Sequence, residues 1–304
     1  MSTQSVPGEG WAVATHGLCK RYGPETVLED VGLRVPDGAV YVLAGANGAG
    51  KSTTLRVLMN LVRPDAGRAE VFGMDTGLRG PEVRARIGYV PEHHDHGYGW
   101  MTCGRLIRHV ARYYPGWEQS YADHLTRALD VRLDRKIGSL SKGGARRLQL
   151  VLAMAHRPPL LLLDEPTDGL DPVVRSRTLG LIAEHLADTP TTVLISTHLI
   201  YEVESLADHV GVLRDGRLVA QLSRDELRRT VRRYRAEVPE GWKAPPGLEV
   251  MRMRRSGREV QWTAMGDERE VTERLALAGA QVREVSPLAL EEAALAFLTG
   301  EVTP

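Results

Sequence analysis

Apolar positions along this chain follow two alternating rhythms. Val40–Ala44, Leu160–Leu163 and Thr191–Ser196 are short β-branched or leucine-rich runs, the pattern of strands covered on both faces. Ser52–Leu61, Arg105–Tyr113, Tyr121–Leu129 and about Ala145–His156 carry apolar residues at helical spacing instead. From about Trp11 to Leu222 the alternation predicts an α/β domain with a largely parallel central sheet. Between Gly97 and Ser139 the pattern is mainly helical and predicts an insertion.

After Asp225 the pattern changes. Arg228, Arg229, Arg232, Arg233 and Arg235 predict one basic helical face, either solvated or used for docking. Leu248–Met253 and Arg258–Ala264 alternate about Ser256-Gly257, as a hairpin does. Asp267–Ala278, Gln281–Val285 and Leu288–Leu298 then read as helix, strand and helix. Gly241 to Gly247, with Pro245-Pro246, is the expected joint to this smaller α+β domain. The expected division is a flexible tail over 1–10, a main domain over 11–230 with a helical subdomain at about 97–158, and an accessory domain over 231–304.

Composition narrows the function classes. A chain of 304 residues has room for one large and one small domain. Lys+Arg 39 against Asp+Glu 39 leaves no net charge, so a general electrostatic grip on nucleic acid has no support and no nucleic-acid partner is expected. Cys19 and Cys103 stand in no metal or redox spacing. No apolar stretch approaches the ~20 residues of a membrane span. A membrane process would need a span from another polypeptide.

The chemistry begins at Gly45-Ala46-Asn47-Gly48-Ala49-Gly50-Lys51-Ser52. It fits the phosphate-loop pattern G-x-x-x-x-G-K-S/T, followed here by Thr53. Glycines let the backbone curl so that its N–H groups face an anion. Lys51 is placed to reach the β- and γ-phosphates of ATP, and the Ser52 hydroxyl to ligate Mg²⁺. A helix starting there adds the positive end of its dipole. At the end of the leucine run, Asp164 is a second candidate metal ligand and Glu165 a candidate to polarise the attacking water. Leu140-Ser141-Lys142-Gly143-Gly144 precedes another helix and offers further anion donors.

With these motifs in order, the chain resembles the ATP-binding-cassette (ABC) transporter ATPases from about Trp11 to Leu222. The resemblance implies a P-loop NTPase (RecA-like) core with an antiparallel β subdomain and a helical subdomain. It implies ATP and Mg²⁺ as cofactors. In that family the signature LSGGQ faces the γ-phosphate held by a second, antiparallel subunit, a role that falls here to Ser141 and Gly143. Lys142 and Gly144 depart from the signature. Asp171, in Gly169-Leu170-Asp171-Pro172, matches the acid of the loop that crosses the dimer interface. His198 matches the switch histidine, and Tyr22 the aromatic that stacks on adenine. Glu92 lies where most members carry a glutamine that links Mg²⁺ and the water to the membrane partner. A glutamate there resembles a subclass of exporters.

The stretch Tyr113-Tyr114-Pro115-Gly116-Trp117, with the signature and Leu290-Glu291-Glu292, looks like bacterial exporter subunits encoded apart from their permeases. The resemblance therefore implies a cytoplasmic, peripheral ATPase at the inner face of the membrane, powering efflux of a small molecule, peptide or antibiotic. Its partners would be a multi-spanning permease and an identical or different second cassette. An importer ATPase and a soluble ATPase acting on ribosomes or DNA ends are the alternatives. His93-His94-Asp95-His96 reads as a polar contact loop toward the permease, or as a metal site.

Overall fold

The fold is that of a computed structural model, described for residues 10–93, 97–246 and 248–299. The first half carries β1 (Trp11–Tyr22), β2 (Glu25–Val31), β3 (Arg34–Pro36), β4 (Val40–Ala44) and α1 (Lys51–Leu58), then β5 (Ala66–Val71), β6 (Met74–Asp75), α2 (Gly80–Arg84) and β7 (Ile87–Val90). Three helices follow, α3 (Cys103–Val110), α4 (Gln119–Ala128) and α5 (Lys142–Met154). Next come β8 (Leu160–Asp164), α6 (Pro172–Asp188), β9 (Thr192–Thr197), α7 (Ile200–Val203), β10 (His209–Arg214), β11 (Arg217–Ser223) and α8 (Arg224–Thr230). The chain closes with β12 (Val231–Glu237), β13 (Glu249–Ser256), β14 (Glu259–Met265), α9 (Glu268–Leu277), β15 (Gln281–Pro287) and α10 (Leu290–Thr299).

Among the described residues three sheets form. The central one has the order β11-β10-β4-β9-β8-β7. It is parallel from β10 to β7, with β11 antiparallel at one edge. Leu160, Leu161, Leu162 and Leu163 are buried on both faces of it, which is why β8 needs no polar alternation. Each such side chain contributes about 1.5–3 kcal/mol on burial. A second sheet, β2-β1-β5-β6 with β3 also on β1, is antiparallel and covers α1 on its outer side. Helices α3, α4 and α5 share the other core with the central sheet. The α/β expectation with an antiparallel β layer and a helical layer is met.

The third sheet, β13-β14-β12-β15, is antiparallel throughout. Helix α9 covers one face, over a core of Tyr234, Trp242, Trp262 and Leu275. Helix α10 then returns to the main body. Leu290, Ala293 and Ala294 pack into the same core as Ile200, Val203 and Val212. The Leu290 N–H donates to Glu204 Oε1 at 2.9 Å, and Arg214 Nη1 donates to the Phe297 carbonyl at 2.8 Å.

Two expectations fail here. The predicted basic helix ends at Thr230, and Arg232, Arg233 and Arg235 lie on β12. Tyr234 and Ala236 are buried at alternating positions and β12 is paired on both sides, so tertiary pairing overrides a run with no strong preference of its own. The Gly241 stretch is also no joint between domains. It lies between β12 and β13 of one sheet, and buried Trp242 donates Nε1–H to the Ala278 carbonyl at 2.8 Å.

His185 of α6 is buried between Tyr121 Oη, 2.9 Å from Nδ1, and Thr191 Oγ1, 3.3 Å from Nε2. Burial lowers its pKa to about 4. The folded state therefore resists protonation, and stability is lost as pH falls below the unfolded value near ~6.5 toward 4. Melting temperature should drop between pH 7 and pH 5, with this histidine supplying up to about 1.4 kcal/mol per pH unit. His185→Gln, melted over the same range, should show a shallower dependence.

Candidate functional site

Strand β4 delivers the chain into the phosphate loop, and α1 begins at Lys51. Gly50, the residue before the helix, has φ 105°, and a Cβ there would lie 2.6 Å from Leu28 Cδ2 and 2.7 Å from the Val27 carbonyl oxygen. Only glycine fits that corner. No side chain caps α1 and its first turn carries no acid, so its first N–H groups stay open to an anion. Buried Lys51 curls back over the loop. Its Nζ donates to the Gly45 carbonyl at 2.9 Å and the Ala46 carbonyl at 3.2 Å, and stands 3.4 Å from Glu165 Oε1.

The parallel order brings the ends of β7, β8 and β9 to the same edge. Asp164 closes β8 and is fully buried. Its Oδ1 accepts from Ser52 Oγ at 3.0 Å and from Ser196 Oγ. Ser52 Oγ also lies within 3.3 Å of Glu92 Oε2, just past β7. Burial raises the Asp164 pKa, the two hydroxyl donors oppose that shift, and Glu92 and Glu165 add to it. Asp164 Oδ2 is buried without a hydrogen-bond partner. Two carboxylates and a hydroxyl thus face one point, with an orphaned oxygen among them. Mg²⁺ takes oxygen ligands and keeps several from water or phosphate, so this set fits it. No group of three His, Cys, Asp or Glu side chains arranged to hold a metal forms among the described residues, here or elsewhere, so at this site the Ser52 hydroxyl and outside ligands must complete the set.

Glu165 turns out of the strand with φ 48°, a conformation that costs on the order of 1 kcal/mol outside glycine. Four contacts hold it there. Thr197 Oγ1 donates to Oε2 at 3.0 Å, and the His198 N–H donates to Oε1 at 3.1 Å. His198 Nδ1 lies 2.9 Å from Oε1, and Lys51 completes the ring. Tyr22, half-exposed, lines the same cleft of about 270 Å³ with Asn47, Gly48, Gly50, Lys51, Ser52, Thr53, Glu92 and Glu165. A larger hollow of about 560 Å³ on the third sheet, lined by Arg235, Arg254 and Glu284, has no such convergence.

Ser141, Gly143 and Asp171 are elsewhere. They line a separate hollow of about 300 Å³ with Lys142, Gly144 and Gly169. Ser141 caps α5, accepting from the Gly144 N–H at 3.1 Å. Asp171 caps α6, accepting from the Val173 and Val174 N–H groups. Lys142 Nζ donates to Asp168 Oδ2 at 2.6 Å and holds that carboxyl below its ordinary range. These residues thus form a second hollow, apart from the cleft around Lys51 and Glu165.

A family profile described as ABC transporter matches residues 28–168. The chain is 32% identical over 224 residues to the bacitracin transport ATP-binding protein BcrA of Bacillus licheniformis, covering 73% of each. It is 36% identical over 224 residues to the daunorubicin/doxorubicin resistance ATP-binding protein DrrA of Streptomyces peucetius, covering 71% of this chain and 67% of that one. The chain belongs to the ABC transporter ATP-binding proteins. A solved ATP-binding subunit of an ABC transporter superposes with TM-score 0.64 at 31% identity, covering 71% of this chain and 92% of the other. As an ABC ATPase the protein binds and hydrolyses ATP. Tyr22, Asp171 and His198 lie outside the stretch the profile matches, so geometry alone ties Tyr22 and His198 to the nucleotide cleft.

Sequence reasoning missed Ser196 and Thr197, whose hydroxyls reach the two carboxylates. Their signal was present, as two hydroxyls closing an otherwise apolar strand before His198. It also missed Arg175, whose Nη1 stands 2.7 Å from buried Glu202 Oε1 and so ties α6 to α7. His94 to His96 lie outside the described residues, while His93 Nδ1 is 3.6 Å from Glu92 Oε2. Because Thr197 is one of four groups fixing Glu165, Thr197→Val should lower kcat for ATP hydrolysis by roughly 10-fold, with KM for ATP within about 2-fold. Steady-state kinetics on the purified variant checks this.

Proposed function

We propose that this ABC ATPase is the engine of an exporter, driving a small molecule, peptide or antibiotic out through a separate multi-spanning permease. The observation that carries the hydrolytic part of the reading is the cage around Glu165. A single carboxylate is aimed at the phosphate loop by an amine, a hydroxyl, a backbone N–H and an imidazole. In this reading Glu165 accepts hydrogen from the water that attacks the γ-phosphate, with His198 and Thr197 fixing its direction. Lys51 and the N–H groups from Gly48 to Thr53 hold the phosphates, and Tyr22 takes the base. Ser52, Asp164 and Glu92 would hold Mg²⁺, which when bound would neutralise charge on the phosphate oxygens.

Ser141, Gly143 and Asp171 serve the nucleotide of a second cassette, identical or different, facing this one. Their separation from the chain's own phosphate loop supports this. A solved dimeric bacterial ABC transporter cassette shares the fold at TM-score 0.63 and 22% identity. Closure of two cassettes on two ATP molecules supplies the population shift that moves the permease, and hydrolysis reopens them. The export direction follows relatives named for bacitracin transport, daunorubicin resistance and Nod factor export. Among the described residues no helix is long and apolar enough to cross a membrane. The chain then works at the inner face of the membrane, on a partner's span.

Glu165→Gln should keep ATP and Mg²⁺ binding, lower kcat by at least about 100-fold, and elute as a dimer only with ATP. Size-exclusion chromatography and phosphate release read both effects. Hydrolysis at the wild-type rate would sink the assignment of Glu165. Mass spectrometry of partners held by the trapped variant, drawn from gently solubilised native membranes, tests the exporter reading. Recovery of ribosomal proteins in place of a membrane protein would replace it.

A further inference from the structure

Arg146 lies in the second turn of α5 and is completely buried. Its guanidinium makes no ion pair among the described residues. Instead it donates to three main-chain carbonyls. Nη1 reaches Pro91 at 2.6 Å and Asp164 at 3.1 Å, and Nη2 reaches Glu92 at 3.0 Å. Burying a cation is expensive even with the carboxylates of Asp168, Asp164, Glu92 and Glu165 near enough to favour its charge, and an apolar side chain of similar volume would serve packing better. The planar fork has a geometric use that packing lacks. It holds donors in one plane, so three carbonyls from two strand ends must keep a fixed relation to one helix.

Those ends differ in kind. Glu92 and Asp164 belong to the metal half of the cleft, where Ser52 Oγ lies 3.3 Å from Glu92 Oε2 and 3.0 Å from Asp164 Oδ1. Helix α5 is capped by Ser141, in the hollow with Gly143 and Asp171. We propose that Arg146 is a positioning residue that fixes Glu92 and Asp164 against α5, and thereby couples the two nucleotide half-sites of one chain. A shift of α5 when Ser141 meets a partner's nucleotide drags the backbone of Glu92, and with it the oxygen set around the chain's own Mg²⁺. The coupling rests on the paired-cassette reading above. The effect on Glu92 does not.

The test uses the full chain carrying Arg146→Gln, with Arg146→Lys as the charge-retaining companion that donates from one point. Three quantities are read: the Tm gain from ATP plus Mg²⁺ over ATP plus EDTA, the Mg²⁺ concentration for half-maximal hydrolysis, and the Hill coefficient for ATP. Arg146→Gln should need about 10-fold more Mg²⁺, as removal of a group that orients a metal ligand does. Its Tm gain from Mg²⁺ should shrink, while ATP binding in EDTA stays within about 2-fold of wild type. Arg146→Lys should move the same way by less, and reports if Arg146→Gln does not fold. The Hill coefficient should fall toward 1. Unchanged Mg²⁺ dependence beside a lowered Tm overturns the positioning role. A wild-type Hill coefficient in a variant that still dimerises overturns the coupling. Failure of Glu165→Gln to dimerise with ATP removes the paired-cassette reading instead, and leaves the Mg²⁺ result to judge Arg146 by itself.

Discussion

Buried charge is the constraint around which this molecule is arranged. Asp164 closes one strand and Glu165 follows it, both almost wholly shielded from water, with Glu92 just past the end of the neighbouring strand. Removing carboxylates from water costs several kcal/mol each unless partners replace the lost hydration. The parallel sheet delivers those partners. Strand β9 runs beside β8 and ends in Ser196 and Thr197, whose hydroxyls meet Asp164 and Glu165 in turn. Strand β4, on the other side of β9, leads into the loop that carries Lys51. The strand order matters because it puts each donor next to its acceptor. One acid oxygen, Asp164 Oδ2, is left over, and a cation is the natural partner for it.

The separation of the two hollows underlies the paired-cassette proposal. The nucleotide cleft is open, and Ser141 and Gly143 line a different hollow with Lys142 held by Asp168. Arg146, fully buried and held by three main-chain carbonyls, has few ways to rearrange.

Legibility in the sequence tracked the physical origin of each feature. The phosphate loop could be read because its geometry is local, made by successive residues whose types are dictated by backbone shape. Strands β4, β8 and β9 could be read because burial on both faces leaves no room for polar residues. Arg146 could not, since its partners are main-chain carbonyls of Pro91, Glu92 and Asp164, and a carbonyl looks the same in every residue. The arginines of β12 misled because a long charged side chain reaches water from a helix or a strand alike. Pairing by β14 and β15 decided between them, and no local signal announces a distant partner. Trp242 was similarly hidden among Gly and Pro, which punctuate a loop without saying which side it faces.

Strand β12 starts directly where α8 ends, and α10 brings the chain back to the core beside α7, on Glu204. The third sheet is thus fastened at both ends of its own stretch of chain. A pendant on a single tether samples a cone of orientations and arrives anywhere within it by diffusion. Here Met251 and Met265 of the sheet also pack against the main core, and Arg233 of β12 pairs with Glu292 of α10, so the sheet is held by a face as well as by its ends. One of those ends adjoins the short helix that follows His198. The sheet and the segment behind His198 are therefore parts of one packed body.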